Sequence, residues 1–237
     1  GPGEYAAAFR AADLGIQTIL IERENQLGGI CLNHGCIPSK ALLHLVNTMD
    51  NALELKNMGV EFDDPNINID KIRSYKNKII RKLNSGIQSL IKQRNINIIT
   101  GSASFKSNKQ LIVDNNDDSL LIDFEYCILA TGSKPNRIDS FPIDPRIMDS
   151  TSALRLESVP NKLLVVGGGY IGLELGSVYA SLGSNVTVAE FTSNLLPGAD
   201  KDLVKPLFNI LNKKFNSIML STMVTSININ HNLLKVY

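Results

Sequence analysis

Tryptophan is absent from the 237 residues, and all aromatic residues together make up 6%. A chain that reads bases by stacking needs more of them, so such a platform is disfavoured. Cysteine occurs three times, too few to staple a secreted scaffold. Neither sign of charge is in excess. The 24 Lys and Arg against 23 Asp and Glu leave a net +1, without the field that draws a protein to nucleic acid. No run approaches the roughly 20 uninterrupted apolar residues of a membrane span, and no secretory leader is expected from the opening residues. The expectation is therefore a protein of the cytoplasm, or of the mitochondrial matrix in a eukaryote, with no nucleic-acid or membrane partner. What is present, 43% hydrophobic and 20% charged residues, suits a globular chain with room for two domains.

Apolar residues Ala8, Phe9, Ala12 and Leu14 recur at helical spacing from Tyr5 until Gly15, and residues 18–21 form a β-branched run closed by Glu22. Residues 36–58 and 72–93 read as helices, with Gly86 a weak point in the second. Between residues 96 and 130 the pattern shortens to strands at 96–100, 110–113, 120–123 and 126–130, with an Asn/Asp turn at 114–118. After a proline-bearing connector from 135 to 160 the opening pattern returns. It runs strand 163–166, glycine turn 167–169, helix 170–182, then strand 186–189 closed by Glu190. Glu190 lies 18 residues after Gly172, and Glu22 lies 18 after Glu4, so one βαβ unit occurs twice.

The second copy carries Gly167-Gly168-Gly169-Tyr170-Ile171-Gly172, a GxGxxG between an apolar strand and a helix. In that context the glycines allow a tight turn, a close approach of pyrophosphate and close helix–strand packing, and the helix N-terminus holds the phosphate charge. Glu190 ends the next strand, where a carboxylate accepts the ribose hydroxyls of a dinucleotide. A 2′-phosphate would meet like charge there, and no arginine cluster follows in residues 191–196, so NAD is favoured over NADP. The bland alternative is a tight βα turn and a solvated strand end.

The first copy leads into Gly28-Gly29-Ile30-Cys31-Leu32-Asn33-His34-Gly35-Cys36-Ile37-Pro38-Ser39-Lys40, with two cysteines spaced C-x4-C before a helix. As a staple this pair would close a loop of about six residues and contribute roughly 2 kcal/mol. As a metal site, Cys31, His34, Cys36 and His44 match no common zinc spacing. As a redox couple, the pair gains from a helix N-terminus near Pro38 and from the Lys40 cation, both of which lower a thiol pKa.

Residues 28–43 resemble the active-site helix of the pyridine nucleotide-disulfide oxidoreductases. Leu32 and residues 37–43 are more similar to the dihydrolipoamide dehydrogenase branch than to glutathione or mercuric reductases. The likeness continues through residues 129–135, 167–176 and Glu190, and so covers essentially the whole chain. It implies an α/β fold of two Rossmann-like dinucleotide-binding domains. Residues 1–150 would form the FAD domain with its redox-active disulfide, and residues 151–237 an incomplete NAD domain. Gly1 falls on the second glycine of the FAD motif, so the first strand and the C-terminal interface domain are expected to lie outside this sequence. Glu4 falls on the third glycine, where a carboxylate crowds the helix and faces the phosphates with the wrong charge. Either Gly3 takes that role, or the opening residues are not those of the natural chain.

Carried over residue by residue, the resemblance implies FAD contacts at Gly1, Glu22, Gly28, Gly29, Lys40, Ala103, Thr131 and Gly132. It implies NAD contacts at Gly167, Gly168, Gly169, Tyr170, Ile171, Gly172, Glu190 and Val224, with Glu174 pairing with Lys40 beside the flavin. Cys31 would take the attack of a dihydrolipoyl thiolate, and Cys36 would become the thiolate that reduces FAD, which passes hydride to NAD. The implied partners are the dihydrolipoyl group of an acyltransferase or of the glycine cleavage H protein, and a second copy in a homodimer. No histidine stands in a His-Pro…Glu context, so the catalytic base is expected on the interface domain. Cys127 reads as a small buried hydrophobe, and His34 as a solvent-facing loop residue or a tuner of the cysteine pair. Mercuric or another disulfide reductase is the rival enzyme, and a non-catalytic zinc- or nucleotide-binding remnant the rival of another class.

Overall fold

The computed structural model describes residues 1–115, 118–231 and 233–237, and the middle of the expected 114–118 turn lies outside them. The chain separates into two compact units, one of residues 1–38 and 77–134, the other of residues 39–76 and 135–237.

In the first unit, helix α1 (Pro2–Asp13) starts with proline at its first turn, where no N–H is missed, and leads to strand β1 (Ile19–Glu22). A short helix α2 (Gly29–His34) follows, and α3 (Cys36–Glu54) begins here and continues into the second unit. The sequence pattern missed α2, because six residues between glycines carry no helical period. Helix α4 (Ile69–Gln93) runs through Gly86 without a break, since Ile87 and Ile91 are buried on either side of the next turn. Strand β2 (Asn97–Thr100) pairs in parallel with β1, Ile19 opposite Asn97 and Glu22 opposite Thr100. Leu20, Leu27, Leu32, Ile87, Ile91 and Ile96 close the core beneath this pair. Arg94 holds α1 from outside it, bonding Asp13 at 2.9 Å with its guanidinium 4.9 Å from the Phe9 ring centre.

An antiparallel sheet of β3 (Ser102–Ser107), β4 (Gln110–Asn115) and β5 (Asp118–Asp123) completes the unit. β3 is exposed along its whole length, so it has no apolar alternation to be read from sequence. The strand expected at 126–130 does not form. That run has the composition of a strand but no hydrogen-bonded neighbour among the described residues, and Tyr126 is 88% exposed. Cys127 within it is exposed rather than buried for the same reason.

The second unit is built on a parallel sheet of β6 (Lys162–Val166), β7 (Asn185–Ala189) and β8 (Ser217–Met219), with Leu163 opposite Val186 and Val188 opposite Ile218. Helices α6 (Tyr170–Ser181) and α7 (Lys201–Lys214) make the crossovers, and a hairpin of β9 (Ile227–Asn230) and β10 (Leu233–Val236) ends the chain. α7 carries Pro206 in its interior, which hid it from the sequence pattern. Val178, Tyr179, Val186, Val188 and Leu195 are fully buried against Leu42 and Val46 of α3. One carboxylate oxygen, Oδ2 of Asp50 on α3, accepts from Ser181 Oγ at 2.8 Å and Lys214 Nζ at 2.7 Å, joining α3 to α6 and α7.

Helix α5 (Ser150–Arg155) sits in the 135–160 connector and is held at both ends. Asp149 accepts from Ser152 N at 2.7 Å, while Lys76 Nζ donates to Leu154 O at 2.5 Å and Arg73 Nε to Leu156 O at 3.2 Å. Cations on terminal carbonyls also complement the helix dipole. Burial pushes the Lys76 amine below its ordinary value, and the nearby Arg73 charge adds to this. Asp149→Ala is expected to destabilise the protein by about 1 kcal/mol through loss of the N-cap, measured by urea unfolding of the full chain.

Candidate functional site

The second unit places a glycine turn at the C-terminal edge of its parallel sheet. Gly167 N donates to Ala189 O at 2.8 Å, and α6 starts at Tyr170 with Gly169 as its N-cap. A Cβ on Gly172 would lie 2.6 Å from Gly167 O and 2.9 Å from Val165 Cγ1, so the helix crosses the strand where only glycine fits. Beside Gly167 and Gly169 a Cβ would meet nothing within 4 Å. The turn is thus closed on the strand side and open on the other, with helix N–H groups at the opening. Tyr170 and Ile171 are exposed there.

Glu190 directly follows β7 and is only 5% exposed. Its Oε2 accepts from Gly168 N at 2.5 Å, and its Oε1 from both the backbone N and the Oγ1 of Thr192 at 2.7 Å. Burial alone would raise this carboxyl, but the hydrogen bonds from Thr192 and Gly168 outweigh it and hold the pKa below the usual value. Lys40 Nζ bonds both oxygens of Glu174, at 2.8 and 2.9 Å. The Lys40 side chain is more than half exposed, so this pair adds little stability and serves to place the ammonium. Val224 is half-buried between β8 and β9.

In the first unit Gly1 and Gly29 meet backbone to backbone, and a Cβ on Gly29 would lie 2.5 Å from the Gly1 Cα. Glu22 stands at the end of β1, accepting from Glu24 N at 3.1 Å. Glu4 bonds the Gly1 amine, and its Oε1 is buried with no partner among the described residues. Burial raises the Glu4 pKa, and the Glu22 carboxylate adds to this against the pull of the amine. Cys31 is half-buried in α2, and Cys36 opens α3 in an exposed position. Asn33 between them donates to Leu27 O at 3.0 Å and accepts from Asn84 Nδ2 of α4 at 2.8 Å, which fixes α2 on the unit. Ala103 lies exposed on β3 opposite Val113, and Thr131 and Gly132 are exposed beyond the 126–130 run.

The structure thus brings together Gly168 with Glu190, Lys40 with Glu174, and Gly1 with Gly29. Thr192, Asn33 and Asn84 were missed by sequence reasoning. Among the described residues no three His, Cys, Asp or Glu gather as a metal site, and no helix is long and apolar enough to cross a membrane.

The sequence profile of the pyridine nucleotide-disulphide oxidoreductases matches residues 1–237. The chain belongs to that family. Among its members, a dihydrolipoyl dehydrogenase of Vibrio cholerae is 46% identical over 228 residues, which are 96% of this chain and 48% of that protein. The HOCl-induced flavoprotein disulfide reductase RclA of Escherichia coli, solved as a Cu(II) complex, superposes with a TM-score of 0.84 at 30% identity. That match covers 100% of this chain and 51% of RclA. LpdA of Mycobacterium tuberculosis shares the fold, with a TM-score of 0.90 at 21% identity over 100% of this chain and 53% of LpdA. The chain therefore spans about half the length of these proteins.

Two outcomes follow from this geometry. Gly172→Ala drives a methyl into backbone and should lower stability by about 1–3 kcal/mol, read as a fall in Tm. Glu190 has a depressed pKa when folded, so its contribution is present above the unfolded value of 4.5 and is lost as pH falls through the folded value. Glu190→Gln should accordingly flatten the acid limb of the stability profile below about pH 5, measured by thermal melts across pH.

Proposed function

We propose that this chain forms the flavin and nucleotide half of a dihydrolipoyl dehydrogenase, with residues 1–150 serving FAD and residues 151–237 serving NAD. The observation that carries the reading is the Cys31/Cys36 pair, within α2 and at the start of α3, in a chain 46% identical to a dihydrolipoyl dehydrogenase. The residues fit two dinucleotides. In the second unit the opening beside Gly167 and Gly169 leaves room for a pyrophosphate, and Glu190 supplies a fixed acceptor for a ribose diol. In the first, Gly1 and Gly29 meet without side chains between them, and Glu22 ends β1 much as Glu190 follows β7. Glu4 is the one feature set against phosphate there, a carboxyl whose pKa burial raises.

In this reading a dihydrolipoyl thiolate attacks the Cys31 sulfur of a Cys31–Cys36 disulfide. A mixed disulfide forms at Cys31 and the electron pair leaves on Cys36 as thiolate. The second substrate thiol then displaces Cys31 and departs as the cyclic disulfide, leaving both cysteines reduced. A bound flavin supplies the two-electron acceptor that links these thiols to nicotinamide. Lys40 is oriented by Glu174, whose two oxygens both accept from its ammonium. Glu190 favours NAD, because a 2′-phosphate would meet a carboxylate that is already buried. The partners are a lipoyl-bearing acyltransferase or the glycine cleavage H protein and a second copy of the chain, in the cytoplasm or the mitochondrial matrix.

The 30% identity to a flavoprotein disulfide reductase supports a second reading, in which the electrons run from nucleotide to another disulfide or to a metal ion. Assay of the intact FAD-loaded enzyme separates the two, because only the first reading forms NADH from dihydrolipoamide. Cys36→Ser is expected to abolish dihydrolipoamide-dependent NADH formation, by at least about a thousandfold, while flavin absorbance is retained. Turnover retained in that variant overturns the assignment.

A further inference from the structure

The loop after β7 folds back over the glycine turn and is fixed there by backbone bonds. Thr222 N donates to Glu190 O at 2.8 Å, Ser221 N to Thr192 O at 2.9 Å, and Leu196 N to Gly168 O at 2.9 Å. Within this frame the carboxylate of Glu190 is held from two directions. Gly168 N reaches Oε2, and the backbone N and hydroxyl of Thr192 reach Oε1. The space is tight as well as polar: a Cβ on Gly168 would lie 3.1 Å from Glu190 Oε2 and 2.6 Å from Leu195 Cδ2.

The Thr192 hydroxyl has a second acceptor at the same distance, since its Oγ1 also lies 2.7 Å from Asn194 O. A hydroxyl carries one hydrogen, so the two acceptors compete for it. Bonds to an ionised acceptor are about twice as strong as neutral ones, so the hydrogen belongs to Glu190 while the carboxylate lacks another donor. When a ligand hydroxyl arrives at Oε1, the Thr192 hydrogen can turn to Asn194 O. No buried group is left unpaired, so the exchange escapes the penalty that usually accompanies a broken buried bond.

We infer that Thr192 is a positioning residue for nucleotide selection. Its hydroxyl keeps the empty Glu190 carboxylate aimed to receive a free ribose diol, and turns to Asn194 O as the diol binds. The inference deepens the NAD reading of the second unit and rests on it. The ligand class is a dinucleotide with an unphosphorylated 2′-hydroxyl. A carboxylate that has lost the Thr192 hydroxyl keeps only two backbone donors, so it is less firmly aimed at the diol and less able to turn away a 2′-phosphate.

The test uses the intact FAD-loaded enzyme that contains this chain, with dissociation constants for NAD and NADP measured by calorimetry beside KM and kcat. Thr192→Val keeps the shape and removes the hydroxyl. It is expected to raise the KM for NAD about five- to tenfold, with a smaller change in kcat, and to narrow the preference for NAD over NADP. Thr192→Ser restores the hydroxyl and should stay within about twofold of the parent. In a Glu190→Gln background the added valine should do almost nothing, because the residue acts through the carboxylate. Thr192→Ala carries the same comparison if the valine variant does not fold. An unchanged KM and NAD preference in the hydroxyl-free variants overturns the inference and leaves the NAD reading standing, as does an equal effect with and without Glu190. A parent protein that binds neither nucleotide overturns the NAD reading, and this inference with it.

Discussion

The second unit depends on one close approach, that of α6 to β6 at Gly172. With no side chain there, the helix starts directly above the strand end and its first N–H groups face the open side of the turn. The short turn keeps Gly168 within reach of the end of β7, so Glu190 can be satisfied from the backbone although it is buried. It also fixes the rotation of α6, which sends Leu173, Val178 and Tyr179 into the core and leaves Glu174 turned to Lys40. A displacement of the helix by the width of a methyl group would disturb all three at once, because a packed interior does not deform gradually.

The first unit applies the same plan under a different constraint. Gly1 and Gly29 take the place of close helix–strand packing, and Glu22 repeats the position of Glu190. The electrostatics differ. Glu190 is surrounded by donors, whereas Glu22 has Glu4 as a neighbour, and the buried Glu4 oxygen is unpaired among the described residues. Hydrogen bonds hold the Glu190 pKa down, whereas burial raises that of Glu4. The repeat visible in the sequence therefore does not imply two sites of equal polarity.

Much of this was legible before any coordinates, and what escaped had a common cause. Strand, glycine turn, helix and acid in the second unit follow from short-range pattern, since each residue type there has one local reason to be present. The pairing of Lys40 with Glu174 came only through resemblance, because 134 residues separate two side chains that look like solvated helix positions. Residues 126–130 misled the reading in the opposite sense. Their composition is that of a strand, but a strand is made by its neighbour, and none of the described residues provides one. Thr192 and Asn84 carry no pattern at all, since their role lies in which single atom they face.

Helix α5 bears on the order of events during folding. It has six residues, well below the length at which a helix persists in water, and its C-terminal carbonyls are met by Lys76 and Arg73 from α4. Those partners lie 78 and 83 residues earlier in the chain. Closing so long a loop costs entropy that a single turn of helix cannot offset. α5 therefore cannot act as a seed. Its place is set by the two α4 cations that meet its carbonyls.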